Sequence, residues 1–173
     1  MKKTMKFLLV ILFTFSFVFL GYKYVYKPDR VIEISTEDAF DLSNKDLLVG
    51  WADNVFIGTV IKKDKEVKDD ISPVSTYKVQ VEENIKGNLS GVVNVSQRIG
   101  YDNDKKALVK VKGDDYLINN NKYLFIAKYN EETKAYVIVP VHGNLKIRDA
   151  ENEKTIKSDF QKAKENQKKP SGI

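Results

Sequence analysis

From residue 55 onward the apolar positions of this chain recur mostly at every second residue, the period of half-buried strands. Tyr77, Val79 and Val81 alternate with Thr76, Lys78, Gln80 and Glu82, which predicts a strand with Val79 and Val81 facing inward. Before it, Val55-Phe56-Ile57-Gly58-Thr59-Val60-Ile61 is rich in β-branched and aromatic residues, with an interior glycine that marks a bulge or bend. The polar run 62–70 reads as a charged loop. Further strands are predicted over 92–97, 108–111, 123–129, 135–139 and 145–147, the third and fourth joined as a hairpin through 130–134. The stretch 100–106 reads as an exposed loop.

Two segments follow a helical period instead. Ser43, Asn44 and Asp46 offer capping chemistry ahead of Leu47, Leu48, Trp51 and Ala52, predicting a short helix over 45–52 with Trp51 as a core plug. In the charged tail 149–173, Ile156, Phe160 and Ala163 fall on one stripe. That stripe leaves three fates open: packing on the strands, lying on anionic headgroups, or fraying, since so short and charged a helix is marginal alone.

The first residues break both periods. Lys2, Lys3 and Lys6 precede an unbroken apolar run, and Phe7 to Val25 gives 19 residues, spanning roughly 28 Å as a helix at ~1.5 Å per residue. That is close to a hydrocarbon core of about 30 Å. Tyr22 and Tyr26 suit the headgroup level and Lys23 can snorkel. A cleavable signal shares the basic start and the apolar run but needs small residues at its end, and Phe19 stands two positions before Gly21. An uncleaved anchor is therefore the favoured reading over a cleaved signal, which would leave the protein secreted. The basic start places the amino terminus in the cytoplasm and the rest outside. The expected organisation is an anchor over 1–28, a linker over 29–44, one β domain over 45–148 and the tail over 149–173.

Charge then narrows the partners. The pI of about 9.1 suggests nucleic acid, but the formal net charge of +5 equals that of the first 30 residues alone. Residues 31–150 carry −2 and residues 151–173 carry +2. A nearly balanced domain lacks the basic face that phosphate-backbone binding uses, which argues against nucleic acid as a partner. The chain has no cysteine and one histidine, so a thiolate or multi-histidine zinc site is excluded. No cofactor is called for.

The pattern of five or six short strands and one small helix predicts a mainly β fold, a closed or partly open barrel. Ala52-Asp53-Asn54-Val55-Phe56-Ile57-Gly58-Thr59-Val60, Tyr77-Lys78-Val79-Gln80-Val81, Ile85-Lys86-Gly87 and the Gly113-Asp114 turn before Tyr123-Leu124-Phe125-Ile126 together resemble the netrin-like module. This OB-type barrel is shared by tissue inhibitors of metalloproteinases and by anchored extracytoplasmic proteins of Gram-positive bacteria. The resemblance covers about 45–148 and implies fold more than function. The animal inhibitors chelate the protease zinc through an amino-terminal cysteine, which this chain lacks.

Candidate chemistry is sparse. His142 could serve as a base or ligand, yet a single histidine without a fixed partner reads more simply as a turn residue. Asp102-Asn103-Asp104 matches the start of a calcium loop, but Lys105 and Lys106 stand where an oxygen ligand and glycine belong. Tyr101, Tyr116, Tyr123, Tyr129 and Tyr136 could form a sugar-stacking surface, although Tyr123 and Tyr129 share a strand face with Phe125 and Ala127 and so belong at least partly to the core. The candidate interaction residues are thus His142, Tyr101, Tyr116, Asp102 and Asp104, with no catalytic or metal role assigned. The expectation is a noncatalytic module anchored in the membrane and engaging an extracellular protein or cell-wall polymer; the alternative is an inhibitor or regulator of an extracellular hydrolase.

Overall fold

The computed structural model describes residues 30–35, 39–68 and 72–171. The chain runs β1 (Val31–Ile34), α1 (Lys45–Trp51), β2 (Asn54–Val67), β3 (Val74–Lys86), β4 (Val92–Gln97), β5 (Ile99–Asp102), β6 (Ala107–Val111), β7 (Lys122–Asn130), β8 (Ala135–Ile138), β9 (Asn144–Lys146) and α2 (Ala150–Glu165). The fold is mainly β, with nine strands among the described residues where the sequence predicted five or six. Among those residues no helix is long and apolar enough to cross a membrane. The run from Phe7 to Val25 lies outside them.

β2, β3, β4, β8, β7 and β9 follow one another in a six-stranded sheet, and β2 also pairs with β7. The sheet therefore curls back on itself. Its parallel β4–β8 ladder holds only the pairs Val95–Tyr136 and Ser96–Val137, so the seam stays short and the barrel is not closed. A smaller sheet in the order β1-β6-β5 has its own hydrogen-bonded ladders and touches the β2–β3 ribbon, where Ser75 Oγ donates to the Ile99 carbonyl at 2.7 Å; β1 comes from the stretch expected as linker and runs parallel to β6.

The non-alternating run in β2 has a physical cause: both faces of the strand are buried. Phe56 and Val60 point to one apolar cluster with Tyr77, Val79, Val95, Tyr123, Phe125 and Ile138. Val55 and Ile57 point to a second, with Leu48, Val49, Leu124, Ile126, Phe160 and Ala163. β7 divides its side chains in the same way. One cluster fills the concave side of the sheet and the other lies between its convex side and the two helices.

The charged run 62–70 departs from the loop expected there. β2 continues through it to Val67, paired with β3 down to Val67–Val74. Its side chains are almost all exposed, so no apolar alternation signalled the strand. Four register shifts along β2–β3, one of them between Ile57 and Gly58, bend this long ribbon as bulges do. Likewise β5 and β6, Ile99–Asp102 and Ala107–Val111, pair across a short turn, leaving only residues 103–106 of the expected loop between them.

Val79 is fully buried, as its alternation predicts, whereas Val81 is only partly buried at the edge of the concave cluster. The tail stripe packs on the fold: Phe160 and Ala163 are buried against the convex side, and Ile156 is partly buried beside them. Asp149 caps this helix by accepting from the Asn152 amide at 2.8 Å. Asn44 caps α1, accepting from the amides of Asp46 and Leu47 at 3.0 and 3.3 Å.

Candidate functional site

The sequence candidates fall into two places. Tyr101 and Tyr116 meet at a residue the sequence did not single out, Glu66, near the far end of the β2–β3 ribbon. Its Oε1 accepts from the Tyr101 amide at 2.6 Å. Its Oε2 accepts from Ser75 Oγ at 3.1 Å and Tyr116 Oη at 3.3 Å, and pairs with the Lys63 ammonium. Lys63 also lies 4.4 Å from the centre of the Tyr116 ring. Gly100 permits this approach, since a Cβ there would stand 2.7 Å from Glu66 Cδ.

Burial pushes the Glu66 carboxyl up, but Lys63, the Tyr101 amide and Ser75 outweigh it and hold it below its ordinary value. Burial first, and the Glu66 charge next, push the Tyr116 hydroxyl up, so it remains a donor. The cluster fastens the ribbon to β5. Next to it, Asp102 Oδ1 accepts from the amides of Asp104 and Lys105 at 3.0 and 3.1 Å, an Asx-type turn in the place of the suggested calcium loop. The Asp104 carboxylate pairs with Lys68. These carboxylates hold their own surroundings in place.

His142 sits in the β8–β9 connection, half-buried, and its amide donates to the Pro140 carbonyl at 2.6 Å. No described hydrogen bond joins it to the other candidates. The five tyrosines are not brought into one surface: Tyr123 is buried, Tyr129 and Tyr136 pack on each other with ring centres 5.0 Å apart, and Tyr101 is exposed at β5.

A different arrangement forms where four remote segments converge. A groove of about 480 Å³ is lined by the end of α1, by Asp53, by Lys86 at the end of β3, by Lys128 of β7 and by Lys169 beyond α2. Lys169 is brought there by the segment after α2. The Lys168 amide donates to the Asp46 carbonyl at 3.2 Å, and the Lys168 carbonyl comes so close to Gly50 that a Cβ would stand 1.9 Å from it. Only glycine admits this docking without displacement.

Trp51, expected as a core plug, is partly buried and forms a wall of this groove. It packs against Phe40 with ring centres 6.4 Å apart and carries the Lys128 ammonium 4.9 Å from its ring centre, a cation–π contact that fixes the lysine. Lys86 donates to the Val49 carbonyl at 2.6 Å, satisfying an otherwise orphaned carbonyl of α1. Burial pulls the Lys86 ammonium below its ordinary value; Asp53 opposes this, and Lys169, Lys128 and Lys164 add to it by repulsion. Asp53 is partly engaged, its Oδ2 accepting from the Tyr129 amide at 3.2 Å. The groove is thus a concentration of positive charge on a nearly neutral domain.

Sequence reasoning missed this site because no motif encodes it. Lys86 entered only as part of the Ile85-Lys86-Gly87 segment and Lys169 only as tail charge; the only available signal was the +2 of residues 151–173. Neither a scan against protein-family models nor a search of curated proteins matched this chain.

Proposed function

We propose that this protein is a noncatalytic binding module, held at the outer face of a membrane by residues 7–25 and engaging its ligand through the groove beside Trp51. One observation carries the reading. The polar groups that could suggest chemistry at the Glu66 cluster are engaged in fastening the ribbon and its turn, whereas the lysines around Trp51 converge on an open concavity with a single carboxylate among them. Binding sites combine such a concavity with a few placed polar groups.

The pairings β2–β3, β3–β4, β4–β8, β8–β7 and β7–β2 support a partly open five-stranded barrel of OB type, a scaffold used for binding. The hydrolase-inhibitor alternative calls for a loop free to enter a cleft. Residues 62–67, which the sequence assigned to such a loop, are paired with β3 and fastened through Glu66, so they favour the module.

The test compares complementation of a deletion strain by three forms: the full chain, full-length His142→Ala, and residues 29–173 secreted behind a cleavable signal. The module reading expects the first two to restore the phenotype and the third to fail, because tethering sets the effective concentration near the ligand. Loss with a folded His142→Ala protein, together with rescue by the secreted form, would refute it.

A further inference from the structure

We infer that the groove formed by Trp51, Lys86, Lys128 and Lys169 binds a linear polyol-phosphate polymer, one phosphate lying among the three ammonium groups and the neighbouring hydroxyl-bearing unit beside Gln161 and Gln167. The inference rests on the module reading above and names its ligand class.

Three features lead to it. Lys86, Lys128 and Lys169 line one concavity with only Asp53 to offset them. Lysines act as point charges toward phosphate, and a phosphodiester, ionised at all ordinary pH, supplies the negative charge this site lacks. Lys86 is held by the Val49 carbonyl and Lys128 by the Trp51 ring, so two of the three ammonium groups are positioned before a ligand arrives, which lowers the entropy lost on binding.

The third feature is length. A neighbouring groove of about 410 Å³ is lined by Gln161, Lys164 and Gln167 together with Glu165. It neighbours the first along β3 and the end of α2, since Asn84 and Ile85, which also line it, directly precede Lys86, and Gln167 stands two residues before Lys169. Neutral amides next to a basic groove suit a chain that alternates phosphates with hydroxyl-bearing units. Glu165 in the second groove disfavours another phosphate there. A flat anionic bilayer would instead be met by lysines projecting from a convex face; here the ammonium groups line a concavity, which a thin chain enters and a headgroup plane does not.

Trp51 is the only tryptophan of the chain and lies under Lys128, so its emission reports the groove. The experiment uses the full chain in zwitterionic nanodiscs, titrated with a glycerol phosphate oligomer and followed by Trp51 emission and by calorimetry. Saturable binding that weakens with salt is expected. The double variant Lys128→Gln, Lys169→Gln, checked for an unchanged melting temperature, should bind about 25-fold more weakly, taking roughly fivefold per lysine near an anionic surface.

Undiminished binding by the double variant, or no calorimetric binding at low salt, would overturn the inference. So would inorganic phosphate competing as tightly as the oligomer, or a response to vesicles containing phosphatidylglycerol without one to the oligomer. If the oligomer fails while the tethered, His142-independent complementation persists, the polyol-phosphate assignment falls and the module stands. The opposite complementation pattern removes the module itself.

Discussion

Replacing Phe160 by alanine tests whether the charged tail is part of the fold. Phe160 is 1% exposed and shares the convex cluster with Leu48, Val49, Val55 and Ile126; it is the largest side chain α2 gives to that cluster. Truncating a buried phenylalanine to alanine costs about 3–5 kcal/mol, the lost transfer energy plus the cavity left behind. The same change on an exposed or frayed helix costs within about 0.5 kcal/mol. With each kcal/mol worth a few degrees in a domain of this size, Tm should fall by roughly 10–20 °C.

The ion pairs of α2 cannot hide the difference. Lys45–Asp159 at 2.6 Å and Lys157–Glu83 at 2.6 Å are solvent-exposed or partly so, and such pairs contribute about 0–1 kcal/mol each. Thermal unfolding of the full chain in nanodiscs, followed by near-ultraviolet circular dichroism, measures the change. Ile156→Ala, at the partly buried edge of the stripe, should cost less. A fall in Tm below about 3 °C for Phe160→Ala would mean that α2 only rests on the sheet, and the packing argument would fail.

Three further outcomes are expected. Val79→Asp should unfold the domain by placing an unpaired carboxylate in the concave core, Val81→Asp should cost less because Val81 is only partly buried, and Lys78→Asp should cost less than either; chemical denaturation ranks the three, and equal midpoints would place the register one residue off. The Glu66 carboxyl is held below its ordinary value of 4.5, so its stabilising contribution is complete above that pH and is lost as pH falls through the lower folded value. Glu66→Gln should therefore flatten the acid limb of a stability–pH curve, and an unchanged limb would remove Glu66 as the clamp of the ribbon. Asp114 is buried with Oδ1 accepting from Gln97 Nε2 at 3.1 Å; burial pushes its carboxyl above the ordinary 3.8, chiefly against the pull of the Val141 amide and Gln97. Its ionised form thus lowers stability at neutral pH and the penalty disappears below about pH 3.8, so Asp114→Asn should raise Tm at pH 7 but not at pH 3, and an unfolding midpoint that drops at pH 7 would refute this.

Legibility in the sequence followed how local the physical signal was. The alternation at Tyr77 and Val79, the capping chemistry at Asn44, the hairpin around 130–134 and the stripe Ile156-Phe160-Ala163 each depend on a few consecutive residues, and the mainly β class follows from them. The outer half of β2 carried no such signal, because its side chains face water and only backbone pairing with β3 makes it a strand. β1 was equally hidden, since four residues gain their ladder only from β6, more than seventy positions away.

The candidate site shows the same division more sharply. Sequence fixes which residues can carry charge, but Glu66 became a hub only when the ribbon bent over β5. Likewise Lys86, Lys128 and Lys169 became one groove only when the α2 tail docked against Gly50. Positive potential adds through space at short range, and spacing along a chain does not report it. What the sequence determined by itself was the period, the caps, the near-neutral domain and an amino-terminal run of membrane-spanning length. Which polar groups are consumed in holding the fold, and which are left converging on a concavity, was decided by tertiary structure, because both depend on contacts between segments that only packing brings together.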